Sequence, residues 1–273
     1  MTPGSSSAIR ATEVDVPKPG RWQVATVKQV TTETERAKTF HLALSEASGH
    51  LAGQHYVVRL TAEDGYTASR SYSVASPPDE SQDIEITVER LEDGEVSAYL
   101  HDVVVPGDEL EVRGPIGGWF VWHGDTPALL IGGGSGIVPL MAMLRLARRS
   151  GRSDLVRLVA SVRRPDDLYY AKELPGPETT VVYTREAPPS WGRPPRRLGE
   201  EDLRHTLAPG VTAFVCGSSG FADHVTGLLA LLEFPDERIR VSASARPADR
   251  TTSWLALDIF SCSCQCLGLR GER

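Results

Sequence analysis

The spacing of hydrophobic and polar positions changes once along the chain, near residue 127. Before that point, short segments alternate apolar and polar residues, and clusters of Gly, Pro and Asp separate them at intervals of about 8–12 residues. This spacing is typical of an antiparallel barrel or sandwich. The predicted strands cover residues 22–30, 40–44, 56–60, 69–75, 84–91 and 110–112.

From Pro127 onward, predicted strands alternate with predicted helices, which indicates a parallel α/β sheet. Residues 128–131 form a continuous apolar run, as expected of a strand that is buried on both faces. Further strands are predicted at 155–162, 179–184 and 212–216, and helices at 137–149, 200–207 and 221–234. The chain is therefore predicted to join an all-β half to an α/β half.

The fourth predicted strand carries the sequence Arg-Ser-Tyr-Ser at residues 70–73. A strand presents Arg70 and Tyr72 on one face and Ser71 and Ser73 on the other. An arginine offers a donor fork suited to phosphate, and a tyrosine offers a flat face and a hydroxyl. Together they favour a phosphorylated aromatic ligand, although an ordinary barrel strand is the commoner meaning of such a segment.

Two further stretches have the form of anion sites. The first predicted helix begins after Gly94. Its N-terminus is formed by the backbone amides of residues 94–97 and by Ser97, and such a helix N-terminus can bind an anion. The run 132–136, Gly-Gly-Gly-Ser-Gly, joins a buried strand to the helix at 137–149, an arrangement that cradles pyrophosphate. The alternatives are a capped surface turn for the first and a plain strand-to-helix turn for the second. The aromatic residues Trp119, Phe120 and Trp122 are interpreted as interface core.

Composition narrows the class of protein. The length of 273 residues suggests two domains, and a net charge of −7 argues against nucleic-acid or anionic-membrane partners. No apolar run reaches the roughly 18–20 residues of a membrane span. Residues 1–18 are expected to be a disordered leader, and the lack of a disulfide framework points to a cytoplasmic protein.

Taken in order, the motifs at 53–54, 70–73, 94–97, 114–117, 132–139 and 216–217 resemble those of the ferredoxin–NADP reductase superfamily. The chain is most similar to stand-alone ferredoxin-reductase-like flavoproteins without an iron–sulfur domain. The resemblance implies a six-stranded antiparallel FAD-binding barrel over 19–124 and a doubly wound, parallel-sheet NAD(P)-binding domain over 125–241. Residues 242–273 are expected to form a disordered tail that does not belong to the family.

The resemblance also implies roles for residues of the barrel half. Arg70 matches the arginine on the flavin phosphate, Tyr72 the tyrosine packed on the isoalloxazine, and Ser73 the serine near flavin N5. Ser71 belongs to the same motif. Val88 and Glu89 match the strand that lines the FAD, while Gly94, Val96 and Ser97 match the helix start that holds its pyrophosphate, which favours FAD over FMN.

In the nucleotide half, the resemblance places the nicotinamide nucleotide's pyrophosphate on a glycine-rich loop and the nicotinamide beside Cys216 and Gly217. Ser73 and Cys216 are the expected catalytic residues, and no metal is expected. Without the family context, Cys216 would be interpreted as a small buried hydrophobe. The loop residues are Gly133, Gly134, Ser135 and Gly136.

Arginines near the predicted strand ends bear on the choice of co-substrate. Arg163 and Arg164 follow the second strand of this half, and Arg185 follows the third. Arginine suits the 2′-phosphate of NADPH, and NADPH-preferring relatives of the family carry arginines after these strands. The alternative is that these arginines are solvated loop residues that bind no phosphate, in which case NADH is also a possible co-substrate. Either Tyr169 or Tyr170 is expected to stack on the adenine. The later arginines 193, 196 and 197 lie in a shortened, proline-rich loop, which weakens their assignment.

After Arg240 the chain departs from the family, whose members end in an acidic-basic-aromatic stretch beside the flavin. A neighbouring reading frame can encode such an end, which leads to the hypothesis of a frameshift near Arg240. Cys262, Cys264 and Cys266 are then interpreted as adventitious thiols. Their spacing fits neither a plant-type iron–sulfur motif nor paired zinc ligands.

The expected function is hydride transfer from NADPH to FAD, followed by delivery of electrons to an external acceptor: a redox protein, a quinone, a small molecule or oxygen. Hydride arrival needs no general acid or base, and both His55 and His123 are interpreted as polar surface residues. The alternatives are a flavin-binding electron-transfer subunit or a truncated inactive paralogue, both without independent NADPH turnover. A nucleotide-binding regulatory module is a third.

Overall fold

The computed structural model describes residues 20–47, 49–79 and 81–244. The strands of its first half are β1 (Gln23–Thr34), β2 (Ala37–Leu44), β3 (His55–Thr61), β4 (Thr67–Ser73), β5 (Asp83–Glu89) and β6 (Glu109–Ile116). They form a six-stranded antiparallel sheet in the order β4-β3-β6-β1-β2-β5, and helix α1 (Glu95–Asp102) lies between β5 and β6 along the chain.

The sheet curls into a barrel whose two edge strands, β4 and β5, meet through a bridge between Val74 and Ile86. Just beyond it, the Ala75 amide donates to the Glu85 carbonyl over 2.7 Å. Helix α1 packs on both edge strands. The barrel interior is filled by alternate strand residues, among them the fully buried Phe40 and Tyr56, because successive side chains of a strand point to opposite faces.

The second half is a parallel five-stranded sheet in the order β11-β10-β7-β8-β9. One helix, α2, packs with a buried cluster on one side, while α3 and α4 pack with a second cluster on the other. The elements are β7 (Ala128–Gly133), α2 (Ile137–Arg149), β8 (Val156–Val162), β9 (Thr179–Tyr183), α3 (Glu200–Arg204), β10 (Thr212–Ser218), α4 (Ser219–Leu231) and β11 (Ile239–Ser244). The predicted fold class is confirmed.

Strand β11 corrects the sequence-based boundary of the tail. Residues 242–244 were expected to lie outside the fold, but they continue β11 because β10 offers a free parallel edge, with Ser242 opposite Cys216. Residues 245–273, with the cysteines at 262, 264 and 266, lie outside the described residues, and so do residues 1–19. The frameshift hypothesis therefore stays a prediction.

The two halves share a buried core around α2, in which barrel-side Ala52, Ala75 and Trp122 pack with residues of the second half. Phe120 and Trp122 are buried, as predicted for interface residues. The prediction is wrong for Trp119, which is 64% exposed and lies under the Arg240 guanidinium. No helix in the described part of the chain is both long and apolar enough to cross a membrane.

Candidate cofactor-binding sites

Arg70 stands exposed on β4 with its charge available. Its guanidinium donates to the neighbouring Ser69 carbonyl over 2.7 Å, and no carboxylate of the described residues forms a salt bridge with it. Most other arginines of the barrel half are paired; Arg59, for example, forms two hydrogen bonds to Glu111. An unpaired guanidinium on an exposed strand is suited to an anionic ligand.

Tyr72 and Ser73 occupy opposite faces of β4, as the alternation predicts. Tyr72 lies opposite Tyr56 and packs at the rim of the barrel core, where burial raises the pKa of its phenol and keeps it protonated. Ser73 is half-buried on the outer face, and Ser71 is exposed on that same face. The strand therefore offers a flat aromatic surface on one side and a hydroxyl on the other.

His55 lies beside Ser73 and is a candidate residue of the site that the sequence reasoning missed. It is the register partner of Ser73 in the neighbouring strand, and it is half-buried, so desolvation lowers the pKa of its imidazole. Paired residues of antiparallel strands project to the same side of the sheet. The interpretation of His55 as a surface residue is therefore corrected, whereas His123 is exposed, as predicted.

The start of α1 supplies amides rather than a hydroxyl. Ser97 is 4% exposed; its hydroxyl accepts a hydrogen bond from the Leu91 amide and donates one to the Gly94 carbonyl, both over 3.2 Å. This corrects the expectation that the hydroxyl holds a phosphate. The first bond of the helix joins the Ala98 amide to Gly94, so the preceding amides, including that of the buried Val96, stay without an intrahelical partner.

Strand β5 divides its two expected cofactor residues. Val88 is fully buried in the barrel core, so its side chain does not line the outer surface, contrary to the expectation. Glu89 projects the other way and lines the cleft described next, as Tyr169 does. Period-two alternation in a strand explains why adjacent residues separate in this way.

A cleft of about 800 Å³ opens beside the carboxyl ends of β7, β8, β9 and β10. In doubly wound sheets, nucleotides bind at such strand ends. Gly133, Gly134 and Ser135 line the cleft, and Gly134 has a φ of +57° that few side chains tolerate. Gly136 lies behind them, against the peptide that joins Cys216 to Gly217. The expected pyrophosphate loop thus borders this cleft.

Three of the candidate arginines are available in the cleft, and three are engaged elsewhere. Arg163, Arg185 and Arg197 line it, and no described carboxylate forms a salt bridge with any of them. Arg164 is exposed, lies 3.8 Å from Glu186 and is not among the residues that line the cleft. The remaining two, Arg193 and Arg196, are held by the buried carboxylate of Asp202 at 2.8 and 2.7 Å.

The two tyrosines at 169 and 170 have different surroundings. Both are buried, but Tyr169 lines the cleft, whereas the hydroxyl of Tyr170 is hydrogen-bonded to that of Thr87 over 2.6 Å. The sequence left open which tyrosine would stack on adenine. Of the two, Tyr169 faces the cleft.

Cys216 is a buried, neutral thiol. Burial raises the pKa of the thiol to about 12, so the thiolate is essentially absent at neutral pH. Such a thiol packs against a ligand but does not act as a nucleophile.

The residues present fit both cofactors. The free guanidinium of Arg70 and the amides at the start of α1 suit a flavin with two phosphates, which is FAD. The glycine loop and unpaired arginines of the cleft suit a nicotinamide nucleotide. Each cofactor would therefore meet hydrogen-bond donors that lack a strong partner within the described part of the protein.

The chain matches two family models in succession. Residues 23–121 match the oxidoreductase FAD-binding domain, and residues 130–227 match the oxidoreductase NAD-binding domain. These matches define a protein that combines a flavin site with a nicotinamide-nucleotide site. The chain belongs to the ferredoxin–NADP reductase superfamily, and its predicted FAD and NAD(P)H requirement is confirmed at the level of these domains.

Several known proteins are similar to it. It is 36% identical over 159 residues to the glycine betaine monooxygenase reductase subunit of Chromohalobacter salexigens, covering 57% of this chain and 42% of that protein. It is 31% identical over 235 residues to the 3-ketosteroid-9-alpha-monooxygenase ferredoxin reductase component of Rhodococcus rhodochrous, covering 84% of this chain and 66% of that protein.

Among solved structures, a cytochrome P450 reductase from Amycolatopsis superposes with a TM-score of 0.68 at 27% identity, over 82% of this chain and 69% of that one. The chain spans between 42% and 66% of the length of the two curated relatives.

Proposed function

We propose that the protein is an FAD-dependent NAD(P)H reductase that passes electrons from the nicotinamide nucleotide, through the flavin, to an external acceptor. The observation that carries the proposal is the pairing of two built sites in one chain: an unpaired arginine beside a helix start, and a glycine-lined cleft of about 800 Å³. The two family-model matches and the names of the similar reductase components support the same activity.

The flavin site is proposed to use Arg70 and the α1 amides for the phosphates, and Tyr72 for the ring system. Ser73 is proposed to supply the hydroxyl beside flavin N5, because Ser73 lies on the outer face of β4. Glu89, which lines the cleft together with Tyr169, would stand between the two sites. Gly94 fits the tight turn before α1, because a β-carbon there would lie 2.3 Å from the Ser97 hydroxyl oxygen.

The nucleotide is proposed to be NADPH. The three unpaired cleft arginines, at 163, 185 and 197, support this preference, because a 2′-phosphate is bound best by several guanidinium groups. Tyr169 is proposed to cover the adenine, and Cys216 with Gly217 to lie against the nicotinamide. NADH, which lacks the phosphate, would bind the same cleft more weakly.

When bound, the flavin supplies the hydride-accepting chemistry and the protein supplies position and electrostatics. The side chains around the proposed reaction centre are uncharged at neutral pH: Ser73 is a hydroxyl, burial keeps Cys216 a thiol, and a lowered pKa keeps His55 neutral. Buried, neutral walls exclude water, which favours direct hydride transfer over exchange with solvent.

The electron acceptor is proposed to be a separate redox protein. The names of the two curated relatives, a monooxygenase reductase subunit and a ferredoxin reductase component, support this choice over a quinone or a small molecule. A cytoplasmic location belongs to the same proposal, and the free, buried Cys216 supports it.

Steady-state reduction of an artificial dye, measured with NADPH and with NADH after reconstitution with FAD, tests the proposal. We expect turnover with both nucleotides and a higher kcat/KM with NADPH. Tight FAD binding without turnover would support the alternative of an electron-transfer subunit instead. That alternative has one specific observation behind it: the described part of β11 reads Ile-Arg-Val-Ser-Ala-Ser and carries no aromatic residue.

A further inference from the structure

Arg145, on α2, is the central residue of the contact between the two halves. Its side chain is only 16% exposed, and each of its three guanidinium nitrogens donates to a partner, with partners in both halves. We infer that Arg145 is a positioning residue that holds the flavin-side strand in register with the nucleotide-binding loop. This inference rests on the function proposed above.

On the barrel side, one terminal nitrogen of Arg145 donates to the Ala75 carbonyl over 3.0 Å and to the Glu85 carboxylate over 2.7 Å. Ala75 and Glu85 are themselves joined, since the Ala75 amide donates to the Glu85 carbonyl. Arg145 therefore clamps the point where the barrel edges close. This point lies two residues beyond Ser73, the hydroxyl proposed to stand by flavin N5.

On the nucleotide side, the same guanidinium forms a two-point ion pair with Glu173 and stacks over the Tyr170 ring at 4.9 Å. Tyr170 reaches back to the barrel through its hydroxyl, to Thr87, and through its amide, to Glu33. Its neighbour Tyr169 lines the nucleotide cleft. The clamp is thus attached to the cleft wall as well as to the flavin strand.

Helix α2 completes the connection, because it begins directly after the glycine loop at Ile137 and carries Arg145 two turns later, about 12 Å along its axis. A rigid helix thereby joins the pyrophosphate loop to the end of the flavin strand. Hydride transfer depends steeply on the separation of donor and acceptor, and a misplacement of about 1 Å can cost about 100-fold in rate.

Arginine is the residue this position requires. Its planar fork serves a carboxylate bidentately while its face covers an aromatic ring, and lysine offers neither geometry. Burial by itself lowers the pKa of Arg145, but Glu173 and Glu85 outweigh that effect and hold the pKa above its usual value, so the group stays charged. A substitution by lysine should therefore keep the positive charge but no longer hold the flavin-side strand in register with the nucleotide-binding loop.

The first arm of the test uses the cofactor-free protein. Hydrogen exchange is measured on peptides that cover residues 71–76, in the wild type, R145K, R145Q and the control R148Q. Arg148 lies on the same helix, but its contacts, to Glu178 and to the carbonyl and carboxylate of Glu173, are all in its own half. We expect exchange at 71–76 to rise at least about tenfold in both Arg145 variants and to stay unchanged in R148Q.

The second arm uses the FAD-loaded proteins. We expect R145K to bind FAD as the wild type does and to keep KM for NADPH within about twofold, while the rate of flavin reduction falls about 10- to 100-fold. Equal exchange in R145K and wild type, or equal losses in R145K and R148Q, would overturn the inference. If R145Q does not fold, R145K alone decides. A wild type that fails to bind FAD would sink the proposed function, while the first arm would still test the clamp.

Discussion

A β-carbon placed on Gly136 would lie 2.2 Å from the carbonyl oxygen of Cys216. The pyrophosphate loop and the proposed nicotinamide-side strand are therefore in backbone contact. No real side chain fits at that distance, so glycine is required at this position for packing and not for its φ angle of −64°. The contact places the start of α2 directly on β10.

The substitution G136A tests this contact. We expect it to lower the free energy of unfolding by about 1–3 kcal/mol, because the backbone must move apart to admit the methyl group, and to weaken nucleotide binding. Thermal unfolding and NADPH titration measure the two effects. G227A, in helix α4, is the control, since a β-carbon there meets no atom within 4 Å. Equal stability of the two variants would refute the contact.

The substitution R70Q tests the phosphate site. A hydrogen bond to a charged group contributes about 1.5–3 kcal/mol, so the Kd for FAD should rise about 10- to 100-fold, measured by quenching of flavin fluorescence. R59Q, on the neighbouring strand, removes an arginine that is already paired with Glu111, and it should leave the Kd unchanged. A similar Kd in wild type and R70Q would remove Arg70 from the flavin site.

Substitutions at two adjacent arginines test the co-substrate preference. R163Q should reduce kcat/KM for NADPH about 10-fold or more and affect NADH much less, because the lost donor faces the cleft. R164Q should change neither value, because Arg164 lies outside the cleft wall beside Glu186. Equal losses with NADPH and NADH in R163Q would mean that the cleft does not recognise a 2′-phosphate.

The buried thiol of Cys216 gives a pH dependence of stability. Its folded-state pKa of about 12 lies above the unfolded value near 9, so its contribution is fully present below pH 9 and is lost as the pH rises towards 12. Denaturant unfolding between pH 8 and 11 should therefore show a shallower decline in C216A than in the wild type. Parallel curves would show that the thiol is not buried as described. Tyr72, Tyr169 and Tyr170 shift in the same direction and contribute equally to both curves.

Patterns of short range predicted most of the fold. The alternation of apolar residues located the barrel strands, and the apolar run before the glycine turn located β7 and the start of α2, whose observed bounds Ile137–Arg149 are those predicted. Strand β11 was not among the predicted strands, and the domain boundary was placed at residue 241 because the chain departs from the family after Arg240. The last three residues of the strand, Ser-Ala-Ser, carry no apolar period of their own. Its extent is decided by the free edge of β10.

The site residues that sequence reasoning misplaced are those whose orientation depends on distant partners. Arg163 and Arg164 are neighbours of the same type, and only the sheet decides that the first faces the cleft. Ser97 turns inward because Leu91 offers it an amide, and His55 lies beside Ser73 because β3 pairs with β4. Arg145 had no local signal, since its partners lie 28 to 70 residues away.

The most direct test of the central claim is anaerobic titration of the FAD-reconstituted protein with NADPH, followed by the visible absorbance of the flavin. The account predicts that stoichiometric FAD binds and that one equivalent of NADPH bleaches it. Failure of the protein to retain FAD, or bound flavin that NADPH does not bleach, would contradict the claim that this chain carries both halves of a working reductase.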